Sequence, residues 1–192
     1  MRVFHVFCVA ALTCAGLVEP ASAAGRSVYT SIANKDCRFD PLGKGPDAAE
    51  NQVKRCRGLE GAQAVVSSYH TVVGLALRWP GSRDATDLVT GWSLGEKLEW
   101  RGPAAGPFRP EAVIVRVIFN DPETDKKHQV LAIMRVKGGK ACVMSAVDMT
   151  ADPKPYETAQ RVADEKAPSF VCGRSDRFAA GTPTQWTTHV LE

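Results

Sequence analysis

The segment from Ala112 to Met149, AVIVRVIFNDPETDKKHQVLAIMRVKGGKACVMSAVDM, decides the fold. It contains three runs that are rich in β-branched and other apolar residues and therefore suit strands: 112–119, 128–137 and 140–149. The sequence DPETD at 121–125 is typical of a turn, and Gly138-Gly139 fits a two-residue hairpin turn that needs positive φ. Three strands joined by tight turns predict an antiparallel meander.

One helix is predicted directly after the meander. Asp152 is placed to cap it, Pro153 suits its first position, and Pro168 ends it. The residues expected to face the sheet recur at helical spacing: Tyr156, Ala159, Val162, Ala163 and Ala167. We therefore expect a mostly-β (α+β) domain in which one C-terminal helix packs on an antiparallel sheet. Residues 173–192 are polar and contain Pro and Gly, so they are expected to form a loosely held tail.

The region before the meander predicts further short strands. They are expected at 27–32, 52–56, 62–69, 71–79 and 97–101. Pro and Gly residues, which interrupt strands and helices, predict turns in 34–50. The segment from Gly81 to Gly95 has no periodic apolar pattern, which is typical of a surface loop.

The first 23 residues have the pattern of a signal peptide. Arg2 gives a positive start, 3–18 is apolar, and Ala21 and Ala23 fit the small-x-small rule of signal peptidase. We expect cleavage after Ala23, leaving 24–192 as a single globular domain that is periplasmic or secreted.

Composition limits the classes of partner. Removing 1–23 takes away one base, Arg2, and one acid, Glu19, so the net charge stays at +3. This charge is too small to indicate nucleic acid or an anionic membrane as a partner. No second apolar stretch is long enough to span a bilayer, so an integral membrane protein is not expected.

Four cysteines remain after Cys8 and Cys14 leave with the signal peptide. An even number in an oxidising compartment predicts two disulfides, for which three connectivities are possible. We favour Cys37–Cys56 and Cys142–Cys172, because each pair flanks a self-contained unit. The alternatives are a zinc site, which would want closely spaced ligand pairs that are missing here, and Cys172 as a nucleophile.

The search for catalytic and cofactor motifs is negative. The sequence contains no H-E-x-x-H, G-x-S-x-G, G-x-G-x-x-G, P-loop or C-x-x-C-H pattern. No cofactor and no metal are expected.

An interaction surface is predicted where aromatic and arginine residues are concentrated, between Arg78 and Arg109. Trp92, Trp100 and Arg101 are its main candidates, because large aromatics and Arg dominate binding interfaces. The alternative is that a Trp at a strand end covers the rim of the core.

A second cluster combines the end of the meander with the helix. Arg161 and Asp164 share a helix face, so Arg161 is expected to bridge Asp148 and Asp164 in a structural ion-pair network. The alternative is a carboxylate pair, Asp148/Asp164, for acid–base chemistry. His70, close to Ser67 and Ser68, is a further candidate base. The alternative is that these residues only form a turn between two strands.

Several short motifs resemble a group of small exported proteins of alphaproteobacteria without assigned function. They are Ser27-Val-Tyr-Thr, Cys37, Cys56-Arg-Gly, Glu99-Trp-Arg, Cys142-x5-Asp148, Ala159-x-Arg161-x-x-Asp164 and Phe170-x-Cys172. The resemblance implies a periplasmic location and supports two disulfides, and it implies no activity. We expect a non-enzymatic protein that binds another protein or an envelope component. The alternative hypothesis is a hydrolase of unfamiliar type that uses His70 or the Asp148/Asp164 pair.

Overall fold

A computed structural model describes residues 24–41, 51–82 and 88–192; the predicted signal peptide lies outside them. The strands are β1 Arg26–Ser31, β2 Cys37–Phe39, β3 Asn51–Arg57, β4 Gln63–Tyr69, β5 Val72–Arg78, β6 Val89–Gly91, β7 Ser93–Gly102, β8 Ala112–Asn120, β9 Lys127–Lys137, β10 Lys140–Asp148 and β11 Phe178–Ala179. The helices are α1 Pro155–Lys166 and α2 Gln185–Leu191, and a 3-10 turn covers Asn34–Asp36. Strands hold 48% of the described residues and helices 14%, which confirms the mostly-β prediction.

The strands form two sheets. One has six strands in the order β1-β7-β8-β9-β10-β11, and the other has five in the order β2-β3-β4-β5-β6. The predicted meander is confirmed as β8-β9-β10, which are antiparallel neighbours in the six-stranded sheet. The sequence did not predict the division into two sheets.

The sheets and α1 pack as three layers. The inner cluster joins the two sheets and includes Leu75 and Leu77 of the small sheet and Trp100 and Val115 of the large one. The outer cluster lies between the other face of the large sheet and α1. Because both faces of the large sheet are covered, its central strands are mostly apolar and do not alternate between apolar and polar residues.

Helix α1 begins two residues later than predicted. Asp152 Oδ1 accepts a hydrogen bond from the backbone N–H of Lys154 (2.7 Å), and Pro155 takes the first turn of the helix instead of Pro153. Ala159, Val162, Ala163 and Ala167 are buried, as predicted. Tyr156 is 47% exposed, so its prediction as a core residue is wrong.

The prediction of a loosely held tail after residue 173 is wrong. Strand β11 pairs in parallel with β10, and α2 packs against the inner cluster through Val190, which is 5% exposed. Thr184 caps α2 through a capping box with Thr187. A seven-residue helix is unstable in isolation, so packing and this cap stabilise a segment whose own pattern is weak.

Both predicted disulfides are present. Cys37 and Cys56 are directly opposite each other on β2 and β3, with their Cα atoms 4.4 Å apart. Cys142 on β10 is joined to Cys172 after α1, with a Cα–Cα distance of 5.9 Å. Helix α1 brings the chain back to the sheet at this point.

Part of the predicted surface loop from Gly81 to Gly95 is strand. Residues 83–87 lie outside the described residues, but β6 begins at Val89, which is completely buried, and β7 begins at Ser93. Within the described ranges, no helix combines the length and apolarity that crossing a membrane would require.

Candidate functional site

The three residues predicted to form an interaction surface do not lie together on the surface. Trp92 is 48% exposed, whereas Trp100 is fully buried and Arg101 is 5% exposed. Trp100 belongs to the inner cluster and donates a hydrogen bond from Nε1 to Thr30 Oγ1 (2.8 Å). Arg101 follows it on β7 and therefore points to the opposite face of the sheet, under α1. Only Trp92 remains available to a partner, and the prediction for Trp100 and Arg101 is wrong.

Arg101, not Arg161, is the arginine that connects the sheet to the helix. Its Nε donates to Asp164 Oδ1 (3.0 Å) and its Nη2 to Asp164 Oδ2 (2.5 Å). Arg161 points outward and contacts Glu165 at 3.4 Å. The predicted network of Asp148, Arg161 and Asp164 is therefore wrong, although the tie between helix and sheet exists.

The buried cluster around Arg101 extends to β1. Arg101 Nη1 donates to Ser27 Oγ (2.5 Å), and Ser27 Oγ in turn donates to Glu99 Oε1 (2.5 Å). Gln160 Nε2 on α1 donates to the same oxygen of Glu99 (2.7 Å). Glu99 is 6% exposed. The signal that could have identified this cluster is Glu99-Trp100-Arg101, two charges that flank a buried tryptophan on one strand.

Asp148 has a structural role at the end of β10. Its Oδ1 accepts hydrogen bonds from the backbone N–H groups of Thr150 (2.8 Å) and Ala151 (3.1 Å), and its Oδ2 accepts one from Thr184 Oγ1 (2.7 Å). Burial opposes ionisation of this carboxyl, but the hydrogen bonds outweigh it and hold the pKa of Asp148 below its ordinary value. Asp148 and Asp164 share no hydrogen-bond partner in the described residues, so the carboxylate pair proposed for acid–base chemistry does not form.

His70 lies in the turn between β4 and β5. It has a positive φ of 49°, and its ring lies edge-on to Tyr69 at 4.3 Å. The hydroxyl of Ser68 donates to the backbone carbonyl of Gln52 at 3.4 Å. The structure thus places His70 at a hairpin tip and directs the Ser68 hydroxyl to a backbone carbonyl.

The exposed ring of Trp92 lines a cavity at one end of the two sheets, which we call the end groove. Its volume is about 560 Å³, and its wall includes Trp92, Phe119, Asp121, Glu123, Trp186 and His189. Asn120 and Gln185 add amide groups, and among the described residues that line the groove none is Lys or Arg. The end groove therefore combines aromatic surface with negative charge in a protein whose net charge is positive.

The aromatic wall of the end groove is held in place by ring contacts. Trp186 stacks on His128 with a centroid distance of 4.5 Å and an angle of 17°, and Phe119 lies 5.5 Å from Trp186. His128 Nε2 lies 3.8 Å from Asp121 Oδ2. A hydrogen bond from the Thr124 hydroxyl, backbone N–H groups and His128 lower the pKa of Asp121, which keeps this carboxylate charged at the rim.

Sequence reasoning missed most of the end groove. Phe119 and Trp186 are 67 positions apart by their numbers, and Trp186 lies in the segment that was predicted to be loose. Among the described residues, no three His, Cys, Asp or Glu side chains are placed to hold a metal ion. No protein-family model, no curated protein and no solved structure matches the chain.

Proposed function

We propose that this protein is an extracytoplasmic binding protein that holds a partner protein at the end groove. The observation that carries the proposal is the position of Trp92, a half-exposed tryptophan on the wall of a groove already lined by Phe119 and Trp186. Tryptophan is the residue type that contributes most often to binding energy when it lies at the centre of an interface.

The location outside the cytoplasm is supported by three features. Two disulfides are typical of oxidising compartments. Residues 1–23 have the pattern of a signal peptide, and the resemblance to exported alphaproteobacterial proteins implies the same location. The periplasm is the compartment that fits all three.

An apolar surface continues from the end groove across the tip of the β4–β5 hairpin. Tyr69 and Val72 are opposite each other on this hairpin and are 57% and 49% exposed. Leu88, next to β6, is 52% exposed, and Trp92 follows β6 at its other end. Contiguous exposed apolar side chains are typical of protein-binding surfaces.

The chemistry of this surface indicates the kind of partner segment. Apolar side chains would cover Tyr69, Val72 and Leu88, while a Lys or Arg of the partner would enter the groove. There it would meet the ring of Trp92 and the carboxylates of Asp121 and Glu123. We favour a protein over another envelope component because Tyr69 and Leu88, which do not line the groove, add exposed apolar side chains to this end of the small sheet.

Site-specific photocrosslinking in living cells tests the proposal. A photoreactive phenylalanine at Val72 should capture a protein, while the same residue at Phe39, a similarly exposed site on β2, should not. Trp92→Ala should abolish capture at Val72, and Phe39→Ala should leave it unchanged. Equal capture from both sites, or a cross-linked product without protein, would rule out the protein partner.

A further inference from the structure

A second cavity, separate from the end groove, lies beside α1 on the outer face of the large sheet. Its volume is about 580 Å³, within the range of small-molecule sites. Tyr29, Glu99, Arg116, Tyr156 and Gln160 line it, and Ile114 and Leu131 contribute its apolar base. We call it the side groove.

An irregularity in β7 produces the side groove. Leu94 is opposite Val117 and Leu98 is opposite Val115, so four positions along β7 correspond to two along β8. The extra residues bulge out of the ladder, where the carbonyl of Glu96 accepts a hydrogen bond from the N–H of Ile32 (2.8 Å). Bulges of this kind often lie next to functional sites because they redirect neighbouring side chains.

The side groove contains a buried carboxylate oxygen without a partner. Glu99 is 6% exposed, and its contacts with Ser27, Gln160 and Arg101 are all made by Oε1. In the described part of the chain, Glu99 Oε2 accepts no hydrogen bond. A buried carboxylate oxygen that lacks a donor is unfavourable, so a ligand that supplies an N–H group would be stabilised there.

The charge around Glu99 favours a cationic donor. Glu99, Arg101 and Asp164 are two carboxylates and one guanidinium in contact, which gives the cluster a formal charge of −1. An ammonium group at Glu99 Oε2 would neutralise this excess in a position that water reaches poorly.

The side groove also offers positive charge. Arg116 forms no ion pair within the described residues, and its one side-chain hydrogen bond there is a long contact of 3.4 Å to Gln129 Oε1. Its guanidinium lies against Gly95, where an added Cβ would come within 3.1 Å of Arg116 Nε. Lys97 lines the groove as well. These groups suit a carboxylate on the same ligand.

Two tyrosines complete the wall of the side groove. Tyr29 on β1, the edge strand of the large sheet, is 56% exposed, and Tyr156 on α1 is 47% exposed. Exposed aromatic rings beside a buried charge suit an apolar or aromatic ligand body.

We propose that the side groove binds a small zwitterion of the α-amino acid type, with its ammonium at Glu99 and its carboxylate at Arg116. The aromatic rings of Tyr29 and Tyr156 hold its side chain. This site is distinct from the end groove and does not depend on the proposed protein partner.

Titration calorimetry with three related probes tests the assignment. L-phenylalanine should bind, while 3-phenylpropanoate, which lacks the ammonium, and L-phenylalanine amide, which lacks the carboxylate, should each bind at least about tenfold more weakly. No binding of L-phenylalanine up to about 10 mM, or equal binding of all three probes, would overturn the proposal.

Two variants assign each charge to its residue. Glu99→Gln keeps an acceptor at Oε1 and replaces Oε2 with a donor, so it should remove the preference for L-phenylalanine over 3-phenylpropanoate. Arg116→Gln should remove the preference for L-phenylalanine over L-phenylalanine amide. Glu165→Gln, which neutralises an exposed carboxylate on α1 that does not line the side groove, is the matched control and should bind like the wild type.

Folding effects can be separated from binding effects. Because Glu99 belongs to a buried cluster, the melting temperature of Glu99→Gln is measured first, and Tyr156→Ala provides a variant outside that cluster. Tyr156→Ala should weaken the binding of L-phenylalanine at least about fivefold and leave the melting temperature unchanged. Unaltered binding in both Glu99→Gln and Tyr156→Ala would show that the ligand does not lie in the side groove.

Discussion

Arg101 and Asp164 form a two-point ion pair between β7 and α1, with N–O distances of 3.0 and 2.5 Å. The Arg101 side chain is 6% exposed and that of Asp164 is 19% exposed. Asp164 Oδ2 also accepts a hydrogen bond from the N–H of Gly25 (2.9 Å), and Arg101 Nη2 donates to the Gly25 carbonyl (2.9 Å). One ion pair thus fixes the helix, the sheet and the chain entering β1.

Removing one partner of this ion pair should strongly destabilise the protein. Asp164→Ala leaves the buried guanidinium of Arg101 without its carboxylate, and we expect the free energy of unfolding to fall by about 3 kcal/mol. Urea denaturation measures the change. Arg161→Ala is the matched control, because its exposed pair with Glu165 should contribute less than about 1 kcal/mol. Equal losses in the two variants would contradict the assignment of Arg101 as the connecting arginine.

The two tryptophans near β7 should respond oppositely to truncation. Trp100→Ala removes a fully buried side chain and should reduce the free energy of unfolding by about 3–5 kcal/mol. Trp92→Ala should change it by less than about 1 kcal/mol, because nearly half of the ring is exposed. Denaturant titration of both variants checks the contrast. A large loss for Trp92→Ala would place Trp92 in the core and remove the basis for the end groove as an interface.

The disulfide between Cys142 and Cys172 should contribute substantially to stability. It closes a separation of 30 residues, for which the chain-entropy model gives about 3–4 kcal/mol. The double variant Cys142→Ala/Cys172→Ala should show this loss in chemical denaturation under oxidising conditions. Peptide mapping without reduction should recover Cys37–Cys56 and Cys142–Cys172. Recovery of a linkage between the two pairs would be incompatible with the structure.

Asp148 should make stability depend on pH in the acid range. Its folded-state pKa lies below the ordinary value near 4, so its contribution is complete above that value and disappears as the pH falls through the folded-state pKa. Asp148→Asn should therefore be less stable at pH 7 and lose less stability between about pH 5 and pH 2. Thr184→Val removes one of the hydrogen bonds that lower this pKa. Its free energy of unfolding should change with pH by an amount between those of the wild type and Asp148→Asn. Urea denaturation across this pH range measures the free energy of unfolding. If this free energy changed with pH equally in the wild type and in Asp148→Asn, Asp148 would not be the source of the pH dependence.

The meander and both disulfides could be predicted because their signals are local. The turns at 121–125 and Gly138-Gly139 fix the pairing of β8, β9 and β10, and each cysteine pair flanks one short unit. The extension of the meander sheet by β7 and β1 could not be predicted from such patterns, because β1 pairs with β7, about seventy positions away, and the alternation of β7 is interrupted by its bulge.

The candidate sites depend on contacts that are distant in sequence. Arg101 meets Asp164 across 63 positions, and nothing in the spacing distinguishes Asp164 with Arg101 from Asp164 with Arg161. The tail was misread for a similar reason. Thr187 replaces the usual Glu or Gln at the third position of the capping box, so the signal at Thr184 is weak until packing is known.

The unequal covering of the two sheets has an evolutionary consequence. Most substitutions in β8, β9 and β10 would disturb packing on one side or the other, whereas the outer face of β3 and β4 exposes positions such as Arg57 and Gln63 to solvent. Sequences descended from a common ancestor should therefore diverge fastest on the outer face of the small sheet. New specificities could arise there while the apolar strands of the large sheet preserve foldability.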